Sequence, residues 1–372
     1  MQHLSLALLL GAAFAAQSPA QEQVYVPGRG ADWQTVAHAA AGFDEERLGA
    51  AIAFAKEHFA ADGGFDPSRE PYGTTIGPTK PPSGMNGLIV IGGRIAAEWG
   101  DTEEVDMTFS VTKTYLSTVA GLAVDDGLIA DVHDAVRGYV PDGSFDVAHN
   151  RPITWHQLLN QTSGWEGTLW GKPDWADRYK GERRPSEAPG EHWRYNDVRV
   201  NQLALALLHV WREPLPRVLK QRIMDPIGCS PKWRWYGYEN SFVTIDGLSM
   251  QSVSGGGHWG GGMFINSRDH ARFGLLMLRG GRWGDRQLIS GTWLERARKP
   301  TPQNPVYGYM NWFLNTEQKK QFRSAPVGDV FFLGAGSNVI WLCPSRDMVV
   351  VVRWIQGGSV DAFLGKVMGA FA

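Results

Sequence analysis

The chain has 372 residues, 43% of them hydrophobic, and a net charge of −2 at pH 7. That is enough apolar sequence for one large core or two lobes. The near-neutral charge gives no indication of binding to nucleic acid or to an anionic membrane surface. The two cysteines, Cys229 and Cys343, allow one disulfide at most, and no C-x-x-C or H-E-x-x-H spacing indicates a metal site.

The N-terminus carries the pattern of a removable export signal. An apolar stretch, residues 4–16, is followed by Ser18-Pro19-Ala20. The stretch is too short to span a bilayer as a permanent helix. We expect cleavage after Ala20, with Ala15 or Ala16 as the alternative. The mature chain is then expected in the periplasm or outside the cell, without a membrane span.

The first β-hairpin pattern lies at residues 87–99. Apolar residues 87–91 precede a Gly92-Gly93 turn, and residues 94–99 follow it. Two glycines between apolar runs are typical of a tight hairpin, because such turns need backbone conformations that glycine adopts readily. We therefore predict two antiparallel strands in this region.

The next pattern is Ser110-Val111-Thr112-Lys113, which opens an apolar run that ends in Asp125-Asp126-Gly127. It predicts a buried helix with Ser110 in its first turn, so that Lys113 returns to the side of Ser110. A serine hydroxyl needs an adjacent base to act as a nucleophile, and a lysine shielded from water can serve as one. The alternative is a capping serine with a solvated lysine, because S-x-x-K is a short motif.

Helical periodicity dominates the middle of the chain, as at residues 155–159 and 200–208. A second hairpin closes the chain, with strands at residues 338–343 and 348–354. We therefore predict an α/β (α+β) fold, in which both chain ends build one antiparallel sheet flanked by helices. The predicted division is a signal peptide at 1–20, a sheet domain at 21–130 and 250–372, and an inserted, mainly helical domain at 131–249.

Five landmarks resemble one protein superfamily. They are FSVTK at 109–113, ITWHQLLNQTSG at 153–164, WRYND at 193–197, GGGMFINSRD at 260–269, and the terminal hairpin. The chain is similar to the serine β-lactamase and penicillin-binding-protein-like superfamily. It most closely resembles class C β-lactamase-related esterases and amide hydrolases, including 6-aminohexanoate-dimer hydrolases. The resemblance implies a two-lobe β-lactamase/transpeptidase-like fold.

The resemblance also implies that Ser110 is acylated while Lys113 and Tyr195 shuttle protons. In such families a Y-x-N motif faces the serine across a cleft, and here it reads Tyr195-Asn196-Asp197. A nearby lysine ammonium would favour the Tyr195 phenolate, which could relay protons. Asp197 would keep Lys113 charged, which favours a positioning role for the lysine over that of a neutral base. The alternative for Tyr195 is a half-buried packing residue.

The family's K-T-G or H-T-G motif is absent. Residues 331–338 read FFLGAGSN, without a cation, just before the final hairpin. Glycine-rich backbone still lets an N–H approach closely. We therefore predict an oxyanion hole made by the N–H groups of Ser110 and Ala335, with Gly336 as the alternative donor and Gly334 in support. The other interpretation is a glycine bulge before an edge strand.

Two further segments are assigned to the surroundings of the site. The glycine run at residues 255–262 lacks both phosphate-loop patterns and is predicted to be a loop beneath the site. His258 within it is a further site candidate. Trp165 and Trp170 follow the turn at 162–164 and are predicted to line an apolar acyl pocket.

These residues predict an exported serine hydrolase that cleaves an ester or amide through a Ser110 acyl-enzyme. No cofactor or metal is implied, and the expected partner is a small ester, amide or lactam. The alternatives are a β-lactamase or D-Ala-D-Ala carboxypeptidase, and a penicillin-binding or acyl-sensing module that acylates without turnover. Arg353 or His258 could replace the missing cation of the K-T-G position. The sequence does not indicate the oligomeric state.

Overall fold

The structure is a computed structural model that describes residues 25–30, 32–63, 74–177, 187–257 and 259–372. The predicted signal peptide at 1–20 and His258 lie outside the described residues. The α-helices are α1 (Glu45–Glu57), α2 (Thr112–Asp125), α3 (Trp155–Leu159), α4 (Asp197–Trp211), α5 (Leu215–Leu219), α6 (Ser267–Leu278), α7 (Gly291–Ala297) and α8 (Val360–Gly369).

The strands fall at both ends of the chain and in a group near its middle. They are β1 (Asn86–Ile91), β2 (Arg94–Trp99), β3 (Asp106–Met107), β4 (Thr168–Leu169), β5 (Lys172–Pro173), β6 (Arg234–Ile245), β7 (Leu248–Val253), β8 (Gly262–Ile265), β9 (Arg282–Trp283), β10 (Arg286–Gln287), β11 (Phe313–Leu314), β12 (Val330–Gly334), β13 (Asn338–Cys343) and β14 (Met348–Arg353).

One antiparallel sheet is built from both ends of the chain, as predicted. Its strand order is β11-β12-β13-β14-β1-β2. The two predicted hairpins, β1–β2 and β13–β14, join through β1 and β14, where Ile89 lies opposite Val350. Gly92 and Gly93 both have positive φ, 58° and 83°, which is the conformation that a tight turn of this kind requires. The predicted fold class is confirmed.

Both faces of this sheet are covered, which explains the unbroken apolar run of β14. Val350 and Val352 pack with α1 and α8 on one face. Val349 and Val351 belong to the larger core on the other face, together with residues of α2, α4 and α6. Because successive side chains of a strand point to opposite faces, a strand between two helical layers is apolar at every position.

A second, four-stranded sheet has the order β3-β8-β6-β7. Arg353 of β14 links the two sheets, since its fully buried guanidinium donates to the carbonyls of Ile265 at 2.6 Å and Met107 at 2.8 Å. Strand β6 lies within the predicted insertion 131–249 and pairs with β7 across its C-terminal boundary. The division into a sheet domain and an insertion therefore stays a prediction.

The structure also shows the state of the two cysteines and bears on the expectation of no membrane span. Cys229 and Cys343 are both free thiols, and Cys343 is fully buried in the sheet core. Within the described parts of the chain, no helix combines the length and the apolar character needed to cross a bilayer.

A buried carboxyl in the sheet makes folding stability depend on pH. Asp329 is 1% exposed and accepts a hydrogen bond from Trp341 Nε1 at 2.6 Å. Burial raises the pKa of Asp329 from 3.8 to about 6. Between these values the folded chain holds a proton that the unfolded chain has lost. The contribution of Asp329 to stability therefore falls as pH rises from 4 to 6, by up to about 3 kcal/mol.

Urea unfolding of the wild type and Asp329→Asn at several pH values tests this. The free energy of unfolding of the wild type minus that of the variant is expected to decrease between pH 4 and pH 6 and to level off above it. A difference that stays constant over this range contradicts the assignment.

Candidate active site

Ser110 lies directly before a helix rather than within its first turn. It is the central residue of a short 3₁₀ turn, Phe109–Val111, and α2 begins at Thr112. Phe109 has a φ of 49°, an unfavourable conformation for an aromatic residue, and this bends the chain sharply between β3 and α2. The predicted helix is confirmed, but its start was placed two residues early because a 3₁₀ turn has no distinct sequence pattern.

Lys113 is fully buried and its ammonium is surrounded by acceptors. Nζ donates to Ser110 Oγ at 2.6 Å and to the Gly255 carbonyl at 3.2 Å. It also lies 2.7 Å from Asp197 Oδ1, and that carboxylate is 4% exposed. These three partners match the three N–H donors of a lysine ammonium. The alternative of a solvated Lys113 is wrong, because no part of the side chain reaches solvent.

Tyr195 and Asp197 flank Asn196, the residue that caps the N-terminus of α4. Asn196 is the N-cap, and its side chain accepts from Arg199 N at 2.9 Å. Asp197 is the first residue of the helix, where the helix dipole stabilises a carboxylate. The Tyr195 ring is half-buried, with its centroid 5.0 Å from Lys113 Nζ. The motif of residues 195–197 thus brings a phenol and a carboxylate to one lysine.

The glycine run lies against this cluster, as the sequence predicts. A Cβ on Gly255 would collide with Val200, one on Gly256 with the Phe109 carbonyl oxygen, and one on Gly257 with Asp197 Oδ2. Larger residues would therefore push α4 or the serine turn away. The absence of side chains at 255–257 lets backbone pack directly onto the lysine and the carboxylate.

The end of β12 runs beside Ser110. A Cβ on Gly334 would collide with the Thr108 carbonyl oxygen and would lie 3.3 Å from Ser110 N. Ala335 follows as an exposed residue whose carbonyl accepts from Asn338 Nδ2 at 2.7 Å. Gly336 has a φ of 69° and packs against Trp354. The segment is therefore close enough to Ser110 for an oxyanion hole, and the choice of Ala335 or Gly336 as donor stays a prediction.

One residue of the site was missed by sequence reasoning. Asn311 is fully buried, and its Nδ2 donates to the Ser110 carbonyl at 2.8 Å and to the Leu333 carbonyl at 2.9 Å. Its own N–H donates to the Tyr307 hydroxyl at 2.8 Å. Residues 307–312 read YGYMNW and carry no motif that signals this role. The only available hint was an asparagine, which adopts positive φ more readily than most residues.

The tryptophans predicted to form an acyl pocket are placed differently from one another. Trp165 is 3% exposed, and its Nε1 donates to the Ser144 carbonyl at 3.1 Å, so this ring is part of the core. Trp170 is half-buried at a φ of 53°. The rings that surround Tyr195 are instead Trp193 at 6.3 Å and Tyr307 at 6.4 Å. The pocket assignment of Trp165 is therefore not supported.

Arg353 does not replace the missing cation of the K-T-G position. Its guanidinium is fully buried between the two sheets, and Nε donates to Asn338 Oδ1 at 2.7 Å. Its other donors hold the backbone carbonyls described above. Arg353 is thus a structural residue that fixes the ends of β13 and β14.

The charges within the site balance. The Lys113 ammonium faces the Asp197 carboxylate, and two phenols stand nearby. Burial raises the pKa of the Tyr307 phenol well above its usual range, although the Lys113 charge opposes this effect. Tyr307 therefore stays neutral. A hydroxyl beside a buried lysine, a phenol and a glycine-rich strand is typical of serine acyl transfer.

Comparison with known proteins identifies the family. The chain matches the sequence model of the Beta-lactamase family over residues 83–362, which is most of its length. It therefore belongs to the Beta-lactamase family, and it is a serine hydrolase of the kind that this family and its homologues represent. The resemblance stated from the sequence motifs is confirmed.

Individual relatives are distant. A 6-aminohexanoate-dimer hydrolase from Paenarthrobacter ureafaciens is 23% identical, with 71% of this chain and 70% of that enzyme covered. A penicillin-binding protein homologue from Caulobacter crescentus has a TM-score of 0.61 at 15% identity, covering 88% of this chain and 99% of that one. EstCE1, a hydrolase with promiscuous acyltransferase activity, has a TM-score of 0.59 at 16% identity, covering 88% and 98%.

Proposed function

We propose that the protein hydrolyses small uncharged esters or amides through an acyl-enzyme on Ser110. The observation that carries this proposal is the 2.6 Å contact between Lys113 Nζ and Ser110 Oγ, in which the lysine is fully buried. A hydroxyl held in this way has one oxygen lone pair engaged and its own proton available to a base. The distant relatives that hydrolyse an amide dimer or act as an acyltransferase support the same reaction class.

The proton path in this proposal runs through Tyr195. Lys113 Nζ donates to Ser110 Oγ and to the Gly255 carbonyl and forms an ion pair with Asp197, so it acts as an ammonium that orients Ser110 and stabilises negative charge near it. The Tyr195 phenolate takes the proton of Ser110 as Oγ attacks the carbonyl carbon, and the resulting phenol gives it to the leaving group. Water then attacks the acyl carbon while Tyr195 takes a proton from it, the bond between that carbon and Ser110 Oγ breaks, and Tyr195 returns the proton to Ser110 Oγ.

The substrate class follows from the charges that surround the serine. The charge of Lys113 is already balanced by Asp197, Arg353 is buried elsewhere, and residues 333–335 are Leu-Gly-Ala, without a charged side chain. The described residues of β12 therefore supply no cation for a substrate carboxylate. The binding of an uncharged acyl group does not depend on such a cation. A penicillin or cephalosporin carries a carboxylate and lacks one charged hydrogen bond here, which would contribute about 1.5–3 kcal/mol.

The specificity constants for a short-chain aryl ester and a chromogenic cephalosporin test this proposal. On one preparation, kcat/KM is expected to be about tenfold to hundredfold higher for the ester, the factor that corresponds to a lost charged hydrogen bond. A preference for the cephalosporin restores β-lactamase as the function. A stoichiometric burst with both compounds and no steady state indicates an acyl-sensing module instead.

Export of the protein is a second part of the proposal. It rests on the apolar residues 4–16 and the small residues at 18–20. N-terminal sequencing of the mature protein from the periplasmic fraction tests both the compartment and cleavage after Ala20. An intact N-terminus in the cytoplasmic fraction contradicts it.

A further inference from the structure

We propose that Asn311 is a positioning residue that fixes the separation between the two halves of the oxyanion hole. This inference rests on the proposed function, in which the N–H groups of Ser110 and Ala335 hold the oxyanion. Ser110 belongs to the turn before α2, and Ala335 follows β12, so the two donors lie on separate segments far apart in the chain. Asn311 is bound to both segments at once.

The two hydrogen bonds define this connection. Nδ2 donates to the carbonyl of Ser110 at 2.8 Å and to the carbonyl of Leu333 at 2.9 Å. Since a carbonyl oxygen can only accept, the NH2 group of Asn311 and not its amide oxygen must face both carbonyls, which fixes the orientation of the amide. Leu333 is the last residue but one of β12, and Ala335 is the first residue of the turn that follows the strand. Asn311 therefore ties the end of β12 to the turn that contains Ser110.

The backbone of Asn311 adopts a conformation that is uncommon for residues other than glycine. Its φ is 65°, in the left-handed region, and the preceding Met310 has a φ of 27°. The main chain at Asn311 is held by its N–H bond to the Tyr307 hydroxyl at 2.8 Å, and the Tyr307 ring in turn packs edge-on to Tyr195. The amide oxygen Oδ1 is buried and has no hydrogen-bond partner among the described residues. The side chain thus keeps a buried acceptor unsatisfied while both of its N–H groups serve the two segments.

Asn311→Gly is the sharpest test, because glycine adopts a φ of 65° without strain and only the amide is lost. For a short-chain aryl ester we expect kcat to fall about 10- to 100-fold per folded molecule, since displacement of a catalytic group by about 1 Å or loss of one oxyanion donor has effects of this order. KM is expected to change little, because the amide does not contact the substrate. Asn311→Asp keeps the size but removes both donors, and should lose kcat to a similar extent.

Asn315→Ala is the matched control. Asn315 is also a buried amide, and its Nδ2 donates to the carbonyls of Phe322, Ala325 and Pro326, away from Ser110. It should lower thermal stability while kcat per folded molecule stays within about twofold of the wild type, as expected for a residue outside the catalytic unit.

The outcomes separate this inference from the proposed function. If Asn311→Gly and Asn311→Asp fold and keep wild-type kcat, or lose activity only through KM, the positioning role is wrong although Ser110 hydrolysis stands. If neither variant folds, Asn311 is a determinant of folding and the proposal is likewise overturned. If the wild type itself does not hydrolyse the ester, the proposed function fails first.

Discussion

Ser110→Ala is expected to abolish ester hydrolysis, with a loss of at least about 10⁴-fold in kcat, while the protein folds normally. The change removes one hydroxyl from a half-buried position in a 3₁₀ turn, and the turn itself is held by backbone bonds and by Asn311. The variant should also resist labelling by a fluorophosphonate, which reacts only with an activated serine. Hydrolysis and labelling are measured on the same preparation, with circular dichroism as the check on folding.

Ser117→Ala provides the matched control for this experiment. Ser117 lies in α2, the helix that follows Ser110, and is fully buried. It is about two helical turns further along the chain than Ser110. It should keep both activity and labelling. Labelling that persists in Ser110→Ala, or that maps to another serine, rules out Ser110 as the nucleophile.

Lys113→Ala and Tyr195→Phe should each reduce turnover at least ~10²-fold, the lower range for a positioned acid or base. Their double variant should lose far less than the product of the two, because members of one catalytic unit are not additive. Lys113→Ala also leaves the buried Asp197 carboxylate without its cation, which typically costs about 3–5 kcal/mol of stability. Rates are therefore compared per folded molecule, with the folded fraction taken from urea unfolding.

The control for the phenol is Tyr309→Phe. Tyr309 is buried like its neighbours, but its hydroxyl bonds to His156 Nδ1 at 2.6 Å rather than facing Lys113. This variant should change stability and leave turnover intact. Strictly multiplicative losses in the Lys113 and Tyr195 pair would mean that the two residues act separately, and the shared proton path would then be wrong.

The parts of the fold that sequence reasoning predicted are those with strong local patterns. The Gly92-Gly93 turn, the apolar run of α2 and the terminal hairpin each contain their own signal, and all three appear in the structure. The two predicted hairpins supply four strands of the six-stranded sheet, β1, β2, β13 and β14. The second sheet was not predicted, although β6 and β7 form a hairpin whose Asp246-Gly247 turn is a local signal. Its other two strands, β3 and β8, are short and pair without a local turn.

In the active site, too, residues with a local sequence pattern were predicted more readily than residues that meet only in the folded chain. Ser110 and Lys113 are three residues apart, so helix geometry alone places them together. Tyr195 and Asp197 required the family resemblance, because nothing in their own segment shows which lysine they meet. The role of Asn311 could not be predicted from the sequence. It depends on the carbonyl groups of residues 110 and 333, which only the folded chain brings within 3 Å of Asn311 Nδ2. Trp165 was misjudged because an indole has the same sequence signal in a core as in a pocket.

The pairing of β1 with β14 has a consequence for folding during synthesis. Residues 86–91 are synthesised long before their partner at 348–353. The β1–β2 hairpin therefore has one edge unpaired until that partner has been made, and contacts so distant in sequence form slowly. Arg353, which joins the two sheets, arrives equally late. The six-stranded sheet therefore cannot close until β14 has been synthesised.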